Sequence, residues 1–141
     1  MYLLDTMILS EVRKRPAQRD RNLVAWIKTA PSEQLFVSVV TIGEIERGIE
    51  RQRSVDPGFA ERLANWLEVT LRLYEGRILP VGLDVARRWG RLSHQVGNKG
   101  MDLAIAATAL QHGLAVVTRN VSDFTPTGVT VINPFDPQDR S

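Results

Sequence analysis

The sequence predicts an α/β fold in which a short parallel sheet is flanked by helices on both faces. Five short apolar runs are spaced along the chain, helical periodicity fills the intervals between them, and neither a repeat nor a long linker interrupts the alternation. At 141 residues and 43% hydrophobic content, the chain fits one domain around one core. That domain is expected over residues 1–133, with a frayed tail at 134–141.

Residues 2–5 read as a strand, an apolar run that ends in Asp5. From Thr6 the spacing becomes helical, with Ile8, Leu9 and Val12 recurring until Arg13-Lys14-Arg15 ends the helix before Pro16. A second helix should run from Asp20, as its N-cap, to Thr29, with Leu23, Val24 and Ile27 inward. Leu35-Phe36-Val37 is the next strand. Ser38 or Thr41 caps the helix after it, which carries Ile42, Ile45 and Ile49 on one face. A turn at Ser54–Gly58 leads to the amphipathic helix Phe59–Leu73, with Leu63, Trp66, Leu67 and Leu71 inward. Ile78–Val81 is a strand and Leu83–Val96 a helix. After the loop Gly97-Asn98-Lys99-Gly100, Asp102 opens the apolar helix Leu103–Leu110, with Gly113 at its C′ position. Leu114–Thr118 and Val129–Ile132 are the last strands.

Composition removes several kinds of chemistry. There is no Cys, so disulfide scaffolds, thiolate metal sites and cysteine nucleophiles are excluded. The two His, at 94 and 112, are too few for an imidazole-rich zinc site and read as a surface residue and a helix C-terminal residue. A metal here would be held by oxygen, which points to Mg2+ or Mn2+. Neither a signal peptide nor a membrane-spanning run is expected, so the protein reads as cytoplasmic with no membrane partner. The net charge of +2 hides an asymmetry: with four of the 16 acids gathered in one pocket, 12 remain to face 18 basic residues. Fifteen of those are Arg, whose planar fork matches phosphate oxygens. A basic exterior around an acidic hole suits a polyanion that is gripped and then cut, although an Arg-rich solvated surface explains the charge equally.

The acids are placed by sequence order. Asp5 ends the first strand, Asp102 opens a helix after a loop, and Asp123 follows the strand that ends at Thr118. In an open α/β sheet, ligands bind outside the carboxyl ends of the strands. Glu44 lies about one turn into the helix after the second strand, with Arg47 and Arg51 at helical spacing beside it. Carboxylates brought together repel and raise one another's pKa, and a divalent cation removes that penalty. Singly, each has a structural explanation: Asp5 or Asp102 as an N-cap, Glu44 as a solvated helix acid, Asp123 as part of the turn Asn120-Val121-Ser122-Asp123.

Four stretches carry a family resemblance: Leu3-Leu4-Asp5-Thr6-Met7-Ile8-Leu9-Ser10-Glu11, Ser38-Val39-Val40-Thr41-Ile42-Gly43-Glu44-Ile45-Glu46-Arg47-Gly48, Asp102-Leu103-Ala104-Ile105-Ala106-Ala107-Thr108-Ala109, and Val117-Thr118-Arg119-Asn120-Val121-Ser122-Asp123-Phe124. In their order and spacing the chain resembles a PIN-domain ribonuclease toxin of the VapC family, on the FitB-like branch. The resemblance implies a PIN-like fold, Mg2+- or Mn2+-dependent endoribonuclease activity, and a toxin's role in a type II toxin–antitoxin pair. It implies Asp5 and Asp102 as metal ligands, Glu44 and Asp123 as further catalytic acids, Thr118 and Asn120 lining the pocket, and Thr6 steadying Asp5. Arg47 and Arg51 are candidates to grip flanking phosphates, with i,i+4 pairing to Glu46 or Glu50 as the structural alternative. One departure is visible: the family has Asn where this chain has Met7, and a thioether cannot orient an acid through hydrogen bonds. The implied partners are an RNA substrate, with transfer RNA a common family target, a cognate antitoxin, and a second copy docked through the first helices. Two rivals come from other classes. A catalytically weak PIN-like module that binds RNA or antitoxin is one. The other is a phosphoryl-acceptor signalling domain, which would need paired acids after its first strand where Asp5 stands alone.

Overall fold

The computed structural model describes residues 1–98 and 100–137. Five parallel strands, β1 (Tyr2–Leu4), β2 (Leu35–Ser38), β3 (Ile78–Leu79), β4 (Ala115–Val117) and β5 (Val131–Ile132), lie in the order β3-β2-β1-β4-β5. Seven helices alternate with them: α1 (Thr6–Val12), α2 (Arg21–Thr29), α3 (Val39–Arg53), α4 (Pro57–Leu73), α5 (Leu83–Val96), α6 (Met101–His112) and α7 (Val121–Phe124). The fold class is the predicted one. β1 is central, and the chain winds outward from it to β2 on one side and to β4 on the other. The boundary between β1 and β4 is therefore the point where strand order reverses, and loops leaving the two strands part there to open a crevice.

Alternation along the strands divides the interior into two faces. Leu3 and Val116 belong to a cluster with Val85, Leu92, Ile105 and Phe124, which brings α5, α6 and α7 onto one side. Leu4 and Val117 belong to a second cluster with Ile8, Leu23, Trp26, Ile49 and Leu67, which brings α1 to α4 onto the other. Helix α6 is nearly continuous in small and aliphatic residues, with Leu103 and Ile105 through Ala109 buried, because it lies between the sheet and α5.

Local signals act where the sequence put them. Asp20 caps α2 through Asn22 N and Leu23 N, both at 3.0 Å, and Ser38 rather than Thr41 caps α3. Gly113 closes α6 at φ 66°, a left-handed conformation that any other L-residue resists. Several expectations change. Trp26, not Val24, is the large buried side chain of α2 beside Leu23, whereas Ile27 on α2 and Leu63, Trp66, Leu67 and Leu71 on α4 lie in or against the second core cluster as expected. Residues 121–124, read as a turn, form the short helix α7. At the start of the expected tail, Pro134 is buried and Phe135 packs against the second core cluster. The rest of that segment, 138–141, lies outside the described residues, as does Lys99. No described helix is long and apolar enough to cross a membrane.

The fully buried Ser38 fixes where α3 begins, and α3 carries Glu44. Its hydroxyl accepts from Val40 N at 3.0 Å, so Ser38→Ala leaves a buried amide without that acceptor. A loss of about 1 kcal/mol is expected in urea unfolding, and an unchanged midpoint would show that the cap contributes nothing.

Candidate active site

The site starts at Asp5, where β1 ends. Its backbone N–H donates to Val117 O at 3.0 Å, continuing the β1–β4 pairing one residue past the strand. The same residue is the N-cap of α1, and its side chain is only 4% exposed. Capping explains one of its oxygens: Oδ1 accepts from Thr6 N at 2.8 Å. The other, Oδ2, accepts from the hydroxyl of Thr118 across the strand-order reversal, also at 2.8 Å. Burial pushes the Asp5 pKa up. The bonds from Thr118 and Thr6 offset part of that, and the charges of Glu44 and Asp123 add to the rise.

Thr6 joins two of the acids. Its amide holds Asp5, while its hydroxyl donates to Glu44 Oε1 at 2.7 Å and lies 3.2 Å from the hydroxyl of the buried Thr41. With its proton on Glu44, the Thr6 oxygen can only accept from Thr41. Thr41 was considered in the sequence only as a cap. Its signal as a site residue was its position one helical turn before Glu44 on α3.

Asp102 stands in the first turn of α6, two residues after Gly100, so it is not the N-cap. Gly100 has φ 79°, and this left-handed backbone swings the chain from the end of α5 into α6. The Asp102 pKa is raised to about 6 by burial first, then by the charges of Asp5, Asp123 and Glu44. Asp123 is exposed on α7, and its N–H donates to Asn120 O at 3.1 Å. Asn120 donates its own N–H to Thr118 Oγ1 at 3.0 Å, so one hydroxyl links the β4 loop to Asp5.

The structure thus brings Asp5, Glu44, Asp102 and Asp123 within electrostatic reach of one another, with Thr6, Thr118 and Asn120 bonded among them. The only ion pairs among the described residues are Lys14–Glu11 and Arg53–Glu50, so no described side-chain cation is paired with this group. Oxygen donors of one sign, crowded at a crevice, fit a hard divalent cation. The fit is open rather than finished: among the described residues no three acidic side chains already converge as a metal-holding group. A cation would have to draw Asp102 and Glu44 toward the fixed Asp5.

The two arginines differ. Arg47 is exposed and, with Glu44, lines an apolar groove of about 730 Å3 whose walls include Val39, Gly43, Val81, Trp89 and Met101. Arg51 is also exposed, but seven residues separate it from Glu44, about 10 Å along the helix. Neither pairs with Glu46 or Glu50, the latter being held by Arg53 at 2.9 Å. Met7 is half-buried and belongs to neither core cluster.

The PIN domain pattern matches residues 2–124. VapC ribonuclease Y4jK of Sinorhizobium fredii is 37% identical, over 97% of this chain and 99% of that protein. Toxin FitB of Neisseria gonorrhoeae is 34% identical, over 96% of this chain and 99% of that protein. Among solved structures, FitAB bound to the IR36 DNA fragment superposes with a TM-score of 0.79 at 30% identity, covering 100% of both chains.

Crowding at Asp102 makes a stability prediction. A carboxyl whose folded pKa lies above its unfolded value favours the folded state while protonated, and that stability is lost as pH rises through about 6. In EDTA, Asp102→Asn is therefore expected to be more stable than the wild type near pH 8, by on the order of 1 kcal/mol after solvent screening. The gain should vanish below about pH 4. Chemical unfolding at both pH values decides it, and a gain of the same size at both would mean that ionisation is not the cause.

Proposed function

Because this chain belongs to the PIN-domain family, we propose that it is an endoribonuclease that depends on Mg2+ or Mn2+ and acts as the toxin of a type II toxin–antitoxin pair. The observation that carries this reading is the crowding of Asp102 by Asp5, Asp123 and Glu44, with no basic side chain paired to the group among the described residues. Asp5 and Asp102 would hold the cation. When bound, a divalent ion supplies positive charge against the scissile phosphate and makes a nucleophilic water available near neutral pH.

The chain's own groups do the rest. Thr118 and Thr6 fix the Asp5 carboxylate through both oxygens, which leaves its remaining lone pairs in one orientation. Thr6 also fixes Glu44, whose free oxygen can orient the attacking water and take its proton. Asp123, exposed at the rim, would hold water in the outer part of the site. Arg47 would grip a phosphate beside the scissile one, and Arg51, further along α3, a more distant one. The substrate is RNA, with transfer RNA the expected class, and a cytoplasmic location follows from it. The similarity to FitAB, solved bound to DNA, and to Toxin FitB supports a cognate antitoxin as partner.

A homodimer belongs to the proposal, but not through the first helices. Ile8, Leu9, Leu23 and Trp26 face inward, so α1 and α2 have no apolar stripe left to offer. The exposed large apolar side chains Val39, Val81, Trp89 and Met101 instead surround the groove between α3, α5 and α6. That face carries knobs (Trp89, Met101) and an open place (Gly43) together, which suits contact with its own copy across a two-fold axis.

Cleavage of RNA with Mn2+ present tests the site: Asp5→Asn and Asp102→Asn should each lose on the order of 100-fold or more. Wild-type cutting by either would overturn the ligand assignment. Glu44→Gln should lose turnover by a comparable factor with RNA affinity retained, and equal loss of both would give Glu44 a folding role. Sedimentation tests the pairing: Trp89→Glu should run as a monomer and Arg21→Glu, on the exposed side of α2, as a dimer, and the reverse result would return the interface to the first helices.

A further inference from the structure

The clearest feature outside the acid cluster is a contact between its β4 loop and the carboxyl-terminal segment. The guanidinium carbon of Arg119 lies 4.0 Å from the centroid of the Phe135 ring, the shortest such separation among the described residues. Phe135 is a fixed platform. Its N–H donates to Asn133 Oδ1 at 3.0 Å, and its carbonyl accepts from Asn22 Nδ2, in the first turn of α2, at 2.7 Å. Its ring packs against the core cluster that contains Leu4, Trp26 and Val117.

The Arg119 carbonyl accepts from Val121 N–H at 3.0 Å, and among the described residues the ring of Phe135 is the contact of its guanidinium. Arg119 is exposed, it has no carboxylate partner among the described residues, and it lies between Thr118 and Asn120. Thr118 N–H is held by Ile132 O at 2.9 Å, so the end of β4 is anchored by the sheet. The next two residues are not paired in that way. Yet Asn120 N–H must meet Thr118 Oγ1 while that hydroxyl donates to Asp5, and Asn120 O must meet Asp123 N–H. These bonds hold only if the backbone at 119–120 keeps one course, and stacking of Arg119 on Phe135 restrains it from outside the site.

We propose that Phe135 and Arg119 are a positioning pair: the carboxyl-terminal segment clasps the β4 loop and thereby orients Thr118, Asn120 and Asp123 for the reaction. Residues 133–136 lie beyond the matched PIN span 2–124, within the nearly full-length similarity to the VapC and FitB relatives. The activity readout rests on the nuclease reading, whereas the exchange readout below does not.

The test uses the full chain, with RNA cleavage and amide hydrogen exchange measured together. Phe135→Leu keeps apolar volume and removes the aromatic face; Arg119→Met keeps the side-chain stem and removes the charge. Each should lower kcat about three- to tenfold with KM unchanged, and should speed exchange at the Asn120 and Asp123 amides. Phe135→Tyr should restore both, and the double variant should be no worse than either single one. Wild-type kcat and exchange in Phe135→Leu would overturn the proposal, as would losses that add in the double variant. A raised KM in Arg119→Met with undisturbed exchange would make Arg119 a phosphate contact instead, and would also overturn it. If Phe135→Leu fails to fold, Arg119→Met carries the same test from outside the core. If the wild type does not cut RNA, the nuclease reading falls while the exchange data still judge the clasp.

Discussion

The buried carboxylate of Asp5, held between Thr6 N–H and the Thr118 hydroxyl, is the interaction on which the rest of the site depends. A charged group that is 4% exposed is tolerated only when its oxygens are bonded, and here the two bonds come from opposite sides of the strand-order reversal. They tie the end of β1 to the end of β4 independently of any ligand. Because Asp5 also caps α1, moving it would disturb a helix as well as a pocket. The rigid acid is thus the reference point for the other three.

This division accounts for the raised pKa values. A protein optimised only for stability would place a basic residue beside four acids, and this one has 18 basic residues available. None pairs with the group among the described residues. Burial first, and then the charges of Asp5, Asp123 and Glu44, disfavour the ionised Asp102, and a bound cation would relieve the repulsive part of that cost. The short β3 and β5, of two residues each, cover the sheet edges, while the longer pairings at the centre support the site.

Much of this was legible in the sequence, for identifiable reasons. α5 falls at Leu83–Val96 as its period indicated, and Asp20 and Gly113 mark helix ends because capping is a local matter of one hydrogen bond or one φ angle. Asp5 and Asp102 were legible because a strand end and a helix start are positions as well as residues. Features that depend on which elements become neighbours were not legible. Trp26 displaced Val24 inward because Tyr2 packs edge-on against it at 5.1 Å, a contact between separate elements. α7, at four residues, is too short to show a period. The bond from Thr6 to Glu44 joins residues 38 apart and exists only because β1 and β2 are adjacent. Phe135 gave no signal because its importance lies in the loop it covers, not in any pattern of its own.

The departure at Met7 is best understood through the same neighbours. In the family that this chain belongs to, the residue after Asp-Thr is usually Asn, an amide able to orient an acid. Here that duty falls one residue earlier. Thr6 directs its amide to Asp5 and its hydroxyl to Glu44, and the hydroxyl is steadied from behind by Thr41. Two acids on different elements are therefore oriented by one residue whose backbone is already fixed as the first of α1. With both donors of Thr6 engaged, the order of the acids does not depend on a hydrogen-bonding side chain at position 7, and a half-buried thioether is compatible with an intact site.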